Sequence, residues 1–116
     1  MSDLAALIRH FRSPDYRLDI GPGWHSIVRR CHDEVSAAFP DYELLAVKQK
    51  YGVLAFQAFP RPWRPGGNWT DDEDARLNDI IERYVAESAR TCENCGRPGR
   101  MHTSRAIHQT LCEACA

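Results

Sequence analysis

Apolar residues recur along this chain at spacings that change from segment to segment. Leu4, Leu7, Ile8 and Phe11 keep the three-and-four spacing of one helical face, which predicts a short helix over residues 3–11. Ser13-Pro14-Asp15 ends it, and residues 16–23 read as a connector closed by Gly21-Pro22-Gly23. Trp24, Ile27, Val28, Cys31, Val35 and Ala38 form the next stripe and predict a helix over 24–39, stopped by Pro40. His25, Arg29, Arg30, His32, Asp33 and Glu34 then fall on its solvated faces or margins.

Beyond Pro40 the period shortens. Residues 42–50 and 53–59 are β-rich and flank Tyr51-Gly52, which predicts a hairpin. A two-residue turn would set Gln49 opposite Leu54, Val47 opposite Phe56 and Leu45 opposite Ala58 on one apolar face. Lys48 and Lys50 would then lie on the other face, opposite Ala55 and Val53. A tight primed turn demands φ > 0 at Tyr51, which is unfavourable for tyrosine, so a longer loop with a shifted register stays open. A two-stranded hairpin is marginal by itself. It has to pack on the helices, gain a strand from the 16–23 connector, or meet a partner.

Residues 60–69 carry three prolines and two glycines and form a loop. Helical periodicity returns with Leu77, Ile80, Ile81, Tyr84 and Val85, predicting a helix over 70–90. Thr70 and Glu73 make a capping box, and Asp71, Asp72, Glu73 and Asp74 complement the positive end of the helix dipole. The order predicts an α+β body over 1–90, with helices packed on a hairpin, followed by a small module over 91–116.

That module holds the most specific chemistry in the chain. Cys92-Glu93-Asn94-Cys95 and Cys112-Glu113-Ala114-Cys115 are two C-x2-C turns separated by residues 96–111, a spacing suited to a zinc ribbon. Each turn offers two thiolates, and two facing turns complete a tetrahedron around one structural Zn²⁺. The intervening segment has room for a short hairpin. Two disulfides, four free thiols or an iron site are the alternatives, and His102 and His108 are spare nitrogen donors. Four thiolates close the coordination shell and leave no position for chemistry.

The fifth cysteine, Cys31, sits within an apolar stripe and reads as a small core residue rather than a nucleophile. His25, His32, Asp33 and Glu34 read as a solvated helix face rather than an acid–base set, so the chain is expected not to be an enzyme. Trp63 and Trp69, with Arg61 and Arg64 beside them, have the composition of a protein interface; the bland reading is a cap on a small core. Lys48 and Lys50 are second candidates for partner contact. Arg97, Arg100 and Arg105 lie between the knuckles, where they would serve nucleic-acid binding or simply solvate the ribbon.

Charge narrows these readings. The formal net charge is −1, there is no basic run, and lysine occurs only at Lys48 and Lys50. General nucleic-acid binding, which needs clustered positive charge, becomes the secondary expectation. Nothing approaches the ~20 apolar residues of a membrane span. The start, Met1-Ser2-Asp3-Leu4, lacks the pattern of an export signal, and the odd cysteine count suits a reducing compartment, so a cytoplasmic location is expected.

Gly23-Trp24, then Val47-Lys48-Gln49-Lys50-Tyr51-Gly52-Val53-Leu54-Ala55-Phe56, then Cys92-Glu93-Asn94-Cys95-Gly96-Arg97-Pro98-Gly99 and Thr110-Leu111-Cys112-Glu113-Ala114-Cys115-Ala116 resemble a loose group of small bacterial and phage proteins. These pair a K-x-K-[FY]-G-x-L-x-F hairpin with a C-terminal zinc ribbon. Ala55 and Gln57 depart from the more charged or aromatic residues of that pattern, and the 60–70 loop is particular to this chain. The resemblance implies the two-part architecture and no reaction. Small proteins of such genomes are often immunity proteins or inhibitors. The expected function is therefore non-enzymatic binding of another protein, a toxin or defence enzyme.

Overall fold

A computed structural model describes residues 4–103 and 107–116. It shows an α+β fold. After a 3-10 helix at Ala5–His10 come β1 (Arg17–Asp19), a 3-10 turn at Pro22–Trp24, α1 (His25–Ala38), β2 (Glu43–Lys50), β3 (Val53–Phe59), α2 (Asp71–Ser88), β4 (Arg100–His102) and β5 (Gln109–Leu111). The first segment is 3-10 rather than α: six residues without a capping side chain recover too little to nucleate a full helix. It ends where the Arg12 N–H donates to the Leu44 carbonyl at 2.9 Å. The start of that segment expected at Asp3 lies outside the described residues.

The hairpin gains its third strand from the connector. β1 pairs parallel with β2, and β2 pairs antiparallel with β3. The turn is the tight one, with Tyr51 at φ 53° and Gly52 at φ 87°. Val47 faces Phe56 and Gln49 faces Leu54, while Lys48 and Lys50 face Ala55 and Val53 as the two-residue turn predicts. The expected Leu45–Ala58 pair does not form. A β-bulge between Leu44 and Ala46 sets Leu44 opposite Ala58 and leaves Leu45 exposed. The bulge lets Leu44 rather than Leu45 enter the core, an exchange of faces that strict alternation misses.

α1 packs against α2, and α2 against β3. Trp24, Ile27, Val28, Cys31 and Val35 of the first stripe meet Leu77, Ile80 and Ile81 of the second, over Leu44, Val47, Leu54 and Phe56 of the sheet. Each fully buried aliphatic side chain here contributes about 1.5–3 kcal/mol. The capping box at Thr70 and Glu73 is formed in both directions. Glu34 joins the helices by accepting from Arg83 and from the Tyr84 hydroxyl. The Arg83 contact, then that hydroxyl, hold its carboxyl below the ordinary range.

His32 departs from the solvated face expected of it. It is buried, and its Nδ1 lies 2.7 Å from the Tyr42 hydroxyl. His10 stacks on the Tyr42 ring, with its Nδ1 2.8 Å from the Tyr42 carbonyl. That carbonyl only accepts, so Nδ1 of His10 carries the proton. Burial of His32, then the neighbouring His10, pushes the His32 pKa down. Tyr42 pulls both rings inward, and no helical wheel of α1 alone contains that partner. Among the described residues, no helix is long and apolar enough to cross a membrane.

Candidate metal centre

α2 hands the chain to the first C-x2-C turn through Thr91, whose hydroxyl donates to the Glu87 carbonyl. The Cys92 N–H then donates to the Arg97 carbonyl at 2.7 Å, and the Gly96 N–H returns to the Cys92 carbonyl at 2.9 Å. Gly96 takes φ 84°, the left-handed conformation that closes the turn. The second turn repeats this logic, with the N–H groups of Cys115 and Ala116 donating to the Cys112 carbonyl. β4 and β5 form the hairpin between them, in the register Arg100 to Leu111 and His102 to Gln109. The Glu93 N–H donates to the Thr110 carbonyl and fastens the first knuckle to β5.

This framework brings Cys92, Cys95, Cys112 and Cys115 together, with their sulfurs all within 4.8 Å of one another. Cys95 and Cys112 Sγ are 3.5 Å apart, far longer than the ~2.05 Å of a disulfide. All five cysteines are free thiols. A tetrahedron of Zn–S bonds near 2.3 Å would place its sulfurs about 3.8 Å apart, so the cluster needs only small shifts of its sulfurs to hold one ion.

Backbone N–H groups prepare the sulfurs for a cation. Burial pushes the Cys92 thiol up, but N–H groups of Cys112, Cys95 and Asn94 outweigh it and bring the thiol down to about 6. At Cys95 the Arg97 N–H lowers the pKa; burial and the sulfurs of Cys112, Cys92 and Cys115 prevail and raise it to about 11. Cys92 is thus the sulfur most readily deprotonated of the two, and a bound dication would take the place of the proton that Cys95 holds more tightly. Asn94 Nδ2 also reaches Cys115 Sγ at 3.4 Å. Donor hydrogen bonds of this kind orient and tune first ligands. His102 is committed elsewhere, with Nε2 3.1 Å from the Leu111 carbonyl, and His108 is exposed on another face.

The centre is also clasped to the body. Gly21 N–H donates to a Glu93 carboxylate oxygen at 2.9 Å, and Gly23 N–H to the Glu93 carbonyl at 2.7 Å. The Trp24 indole donates to the Thr91 carbonyl at 2.9 Å. Glu93, a charged residue within the first knuckle, is therefore buried. Its burial follows from the connector crossing the knuckle, a long-range approach that no local pattern announces. The signal was the spacing of Gly21 and Gly23, whose missing side chains permit it.

The partner-contact candidates separate into two places. Trp63 is 58% exposed, whereas Trp69 is half-buried and stacks on Phe59. These three rings, with Arg12 and Glu43, line a cavity of about 630 Å³. An adjoining cavity of about 650 Å³ shares Arg12 and Glu43 and includes Arg9, Arg61 and Arg64. Arg61 is held by both Glu73 oxygens and by the Asn68 carbonyl, and so braces the loop. Lys48 and Lys50 lie apart from this trough, beside the ribbon. Of the ribbon arginines, Arg100 pairs with Glu113 at 3.3 Å, Arg97 is exposed, and Arg105 lies outside the described residues. Cys31 is fully buried, and burial, with the nearby Glu34 charge, pushes its thiol up to about 12.

No family model matches this sequence, and neither the curated proteins nor the solved structures contain a match to it.

Proposed function

We propose that this is a zinc-stapled, non-enzymatic protein that acts by binding another protein. Its role in this reading is that of an immunity factor or inhibitor directed at a toxin or defence enzyme. Zinc is the metal assigned, because an all-thiolate tetrahedron is its usual structural site. A closed S4 shell holds the ribbon and performs no reaction. Burial of Cys31 and His32 supports the same reading, since it withdraws the thiol and one of the two imidazoles of α1 from solvent.

The observation that carries the binding reading is Trp63. A large aromatic ring stands 58% exposed on a braced loop, beside Arg64 and over a cavity walled by Phe59 and Trp69. A Trp–Arg rim around an aromatic floor is the composition of an interface hot spot. Leaving Trp63 in water has no benefit for the core, which a partner's side chains would supply.

Native purification followed by mass spectrometry tests this reading, together with the metal content of the purified protein. One stoichiometric zinc and one co-purifying protein are expected. A Trp63→Ala/Arg64→Ala variant should lose that partner while keeping its thermal midpoint. Full retention of the partner by that variant would refute the surface, and a metal-free native protein with an intact ribbon would refute the staple.

A further inference from the structure

The end of the hairpin away from the aromatic trough carries a second feature, independent of the reading above. The hairpin tip is locked to the ribbon. Thr110 Oγ1 donates to the Gly52 carbonyl at 2.8 Å, and Met101 packs so tightly on Gly52 that a Cβ there would lie 2.2 Å from its sulfur. Beside this junction is a cleft of about 450 Å³, lined by Arg17, Lys48, Lys50, His108, Tyr51 and Ile107 together with Gln49. Every charged side chain among the described residues that line it is basic. Asp19, which pairs across the sheet with Lys48, reaches Arg17 at 3.7 Å with both side chains of that ion pair largely in water. Such an exposed pair neutralises little. A protein of net charge −1 has thus gathered both of its lysines and an arginine on one concave face.

Tyr51 adds a second, independent observation. Among the described residues it is the non-glycine residue held at positive φ, and it is 76% exposed at the tip. Asparagine or glycine would occupy that position with less strain. Retaining a strained tyrosine whose ring meets water points to a role for the ring. Lys50 Nζ lies 5.9 Å from the centre of that ring, so charge and aromatic face are presented side by side. Lys48 and Lys50 are two residues apart on one strand face, about 6.6 Å along the strand. Successive phosphates of an extended phosphodiester chain can meet that spacing, with a base laid on the Tyr51 ring.

We propose that this cleft binds single-stranded nucleic acid, with Arg17, Lys48, Lys50 and His108 along the phosphates and Tyr51 as the stacking platform. The combination of a cationic groove with a solvent-exposed ring is how such strands are held without sequence readout. An acidic protein segment would satisfy the cations but would make no use of the ring. Arg97 and Arg100 do not line this cleft and are not needed.

The test is fluorescence anisotropy of the zinc-loaded protein with a labelled oligothymidylate of roughly 12 nucleotides. The titration is repeated across a salt series. Binding at low salt is expected, with a log–log salt slope of about −2 to −3 for three to four phosphate contacts. Lys48→Glu/Lys50→Glu should weaken binding at least about 10-fold, and Lys48→Gln/Lys50→Gln should do so if the charge reversal disturbs folding. Tyr51→Asn, which keeps the left-handed backbone and removes the ring, should weaken it about 5- to 100-fold. Arg29→Gln/Arg76→Gln, exposed on α1 and α2 and outside this cleft, should bind as the wild type. Absence of binding at low salt would overturn the proposal. So would unchanged affinity in both lysine variants, or competition by an oligoglutamate peptide of equal charge at equal concentration.

Discussion

Gly23→Ala is the sharpest probe of how the metal module is joined to the body. A Cβ built at Gly23 would lie 2.1 Å from the Cys92 carbonyl oxygen, 2.5 Å from Gly96 N and 2.7 Å from the Glu93 carbonyl oxygen. All three atoms are backbone, so no side chain can swing aside. Relief requires the 21–24 segment and the first knuckle to separate by roughly 1 Å, which breaks close contacts throughout the clasp. At stake are the hydrogen bonds from Gly21, Gly23 and Trp24 to Glu93 and Thr91. Each of the three is worth about 0.5–1.5 kcal/mol net, so losing them costs about 1.5–4.5 kcal/mol. Alanine returns about 0.4–1 kcal/mol by restricting the unfolded chain. A net loss of about 0.5–4 kcal/mol is expected in urea melts followed by circular dichroism at saturating zinc. Because the nearest clash falls on the residue that supplies the Cys92 sulfur, zinc affinity against a chromophoric chelator should drop about tenfold or more. Gly67→Ala is the control, since a Cβ there meets nothing within 4 Å. A Gly23→Ala protein that melts with the wild type and holds zinc equally well would refute the clasp.

The other expectations are simpler. Removing the metal, by chelation or by Cys112→Ser, should release hydrogen-exchange protection across residues 91–116 before α1 and α2; structural zinc in small modules supplies about 10–16 kcal/mol. Equal protection with and without metal would refute this. The His32 pKa is depressed in the folded state by burial, then by His10, with Asp33 opposing and Arg29 and Arg9 adding to the shift. The unfolded chain therefore binds the proton more readily, and this contribution to stability is present above about pH 6.5 and lost as pH falls toward the folded value. His32→Asn, which can keep an acceptor for Tyr42, should flatten that part of the pH–stability curve; an unchanged slope would count against it. Cys31, with its thiol pushed up to about 12 and no solvent access, should resist alkylation in the native protein at pH 8 and react only on unfolding. Labelling of native Cys31 at the rate of a free thiol would contradict its placement.

The sequence by itself determined whatever depends on near neighbours. The stripes of α1 and α2, the capping box at Thr70 and the two C-x2-C turns follow from residues within a turn or two of each other. So does most of the hairpin register. These are local because helix periodicity, caps and knuckles are satisfied within a few residues. The tertiary structure decided the rest. It chose the tight turn despite Tyr51, because the Gly52 carbonyl and Cα are held by Thr110 and Met101 of the ribbon. It bulged β2 to turn Leu44 inward, buried His32 against Tyr42, and drew Glu93 under the Gly21–Trp24 connector. Gly52 and Glu93 found their partners 58 and 72 residues away, and His32 found Tyr42 beyond the end of its own helix. Such compensation exists only once the chain has folded, so no window of sequence contains it.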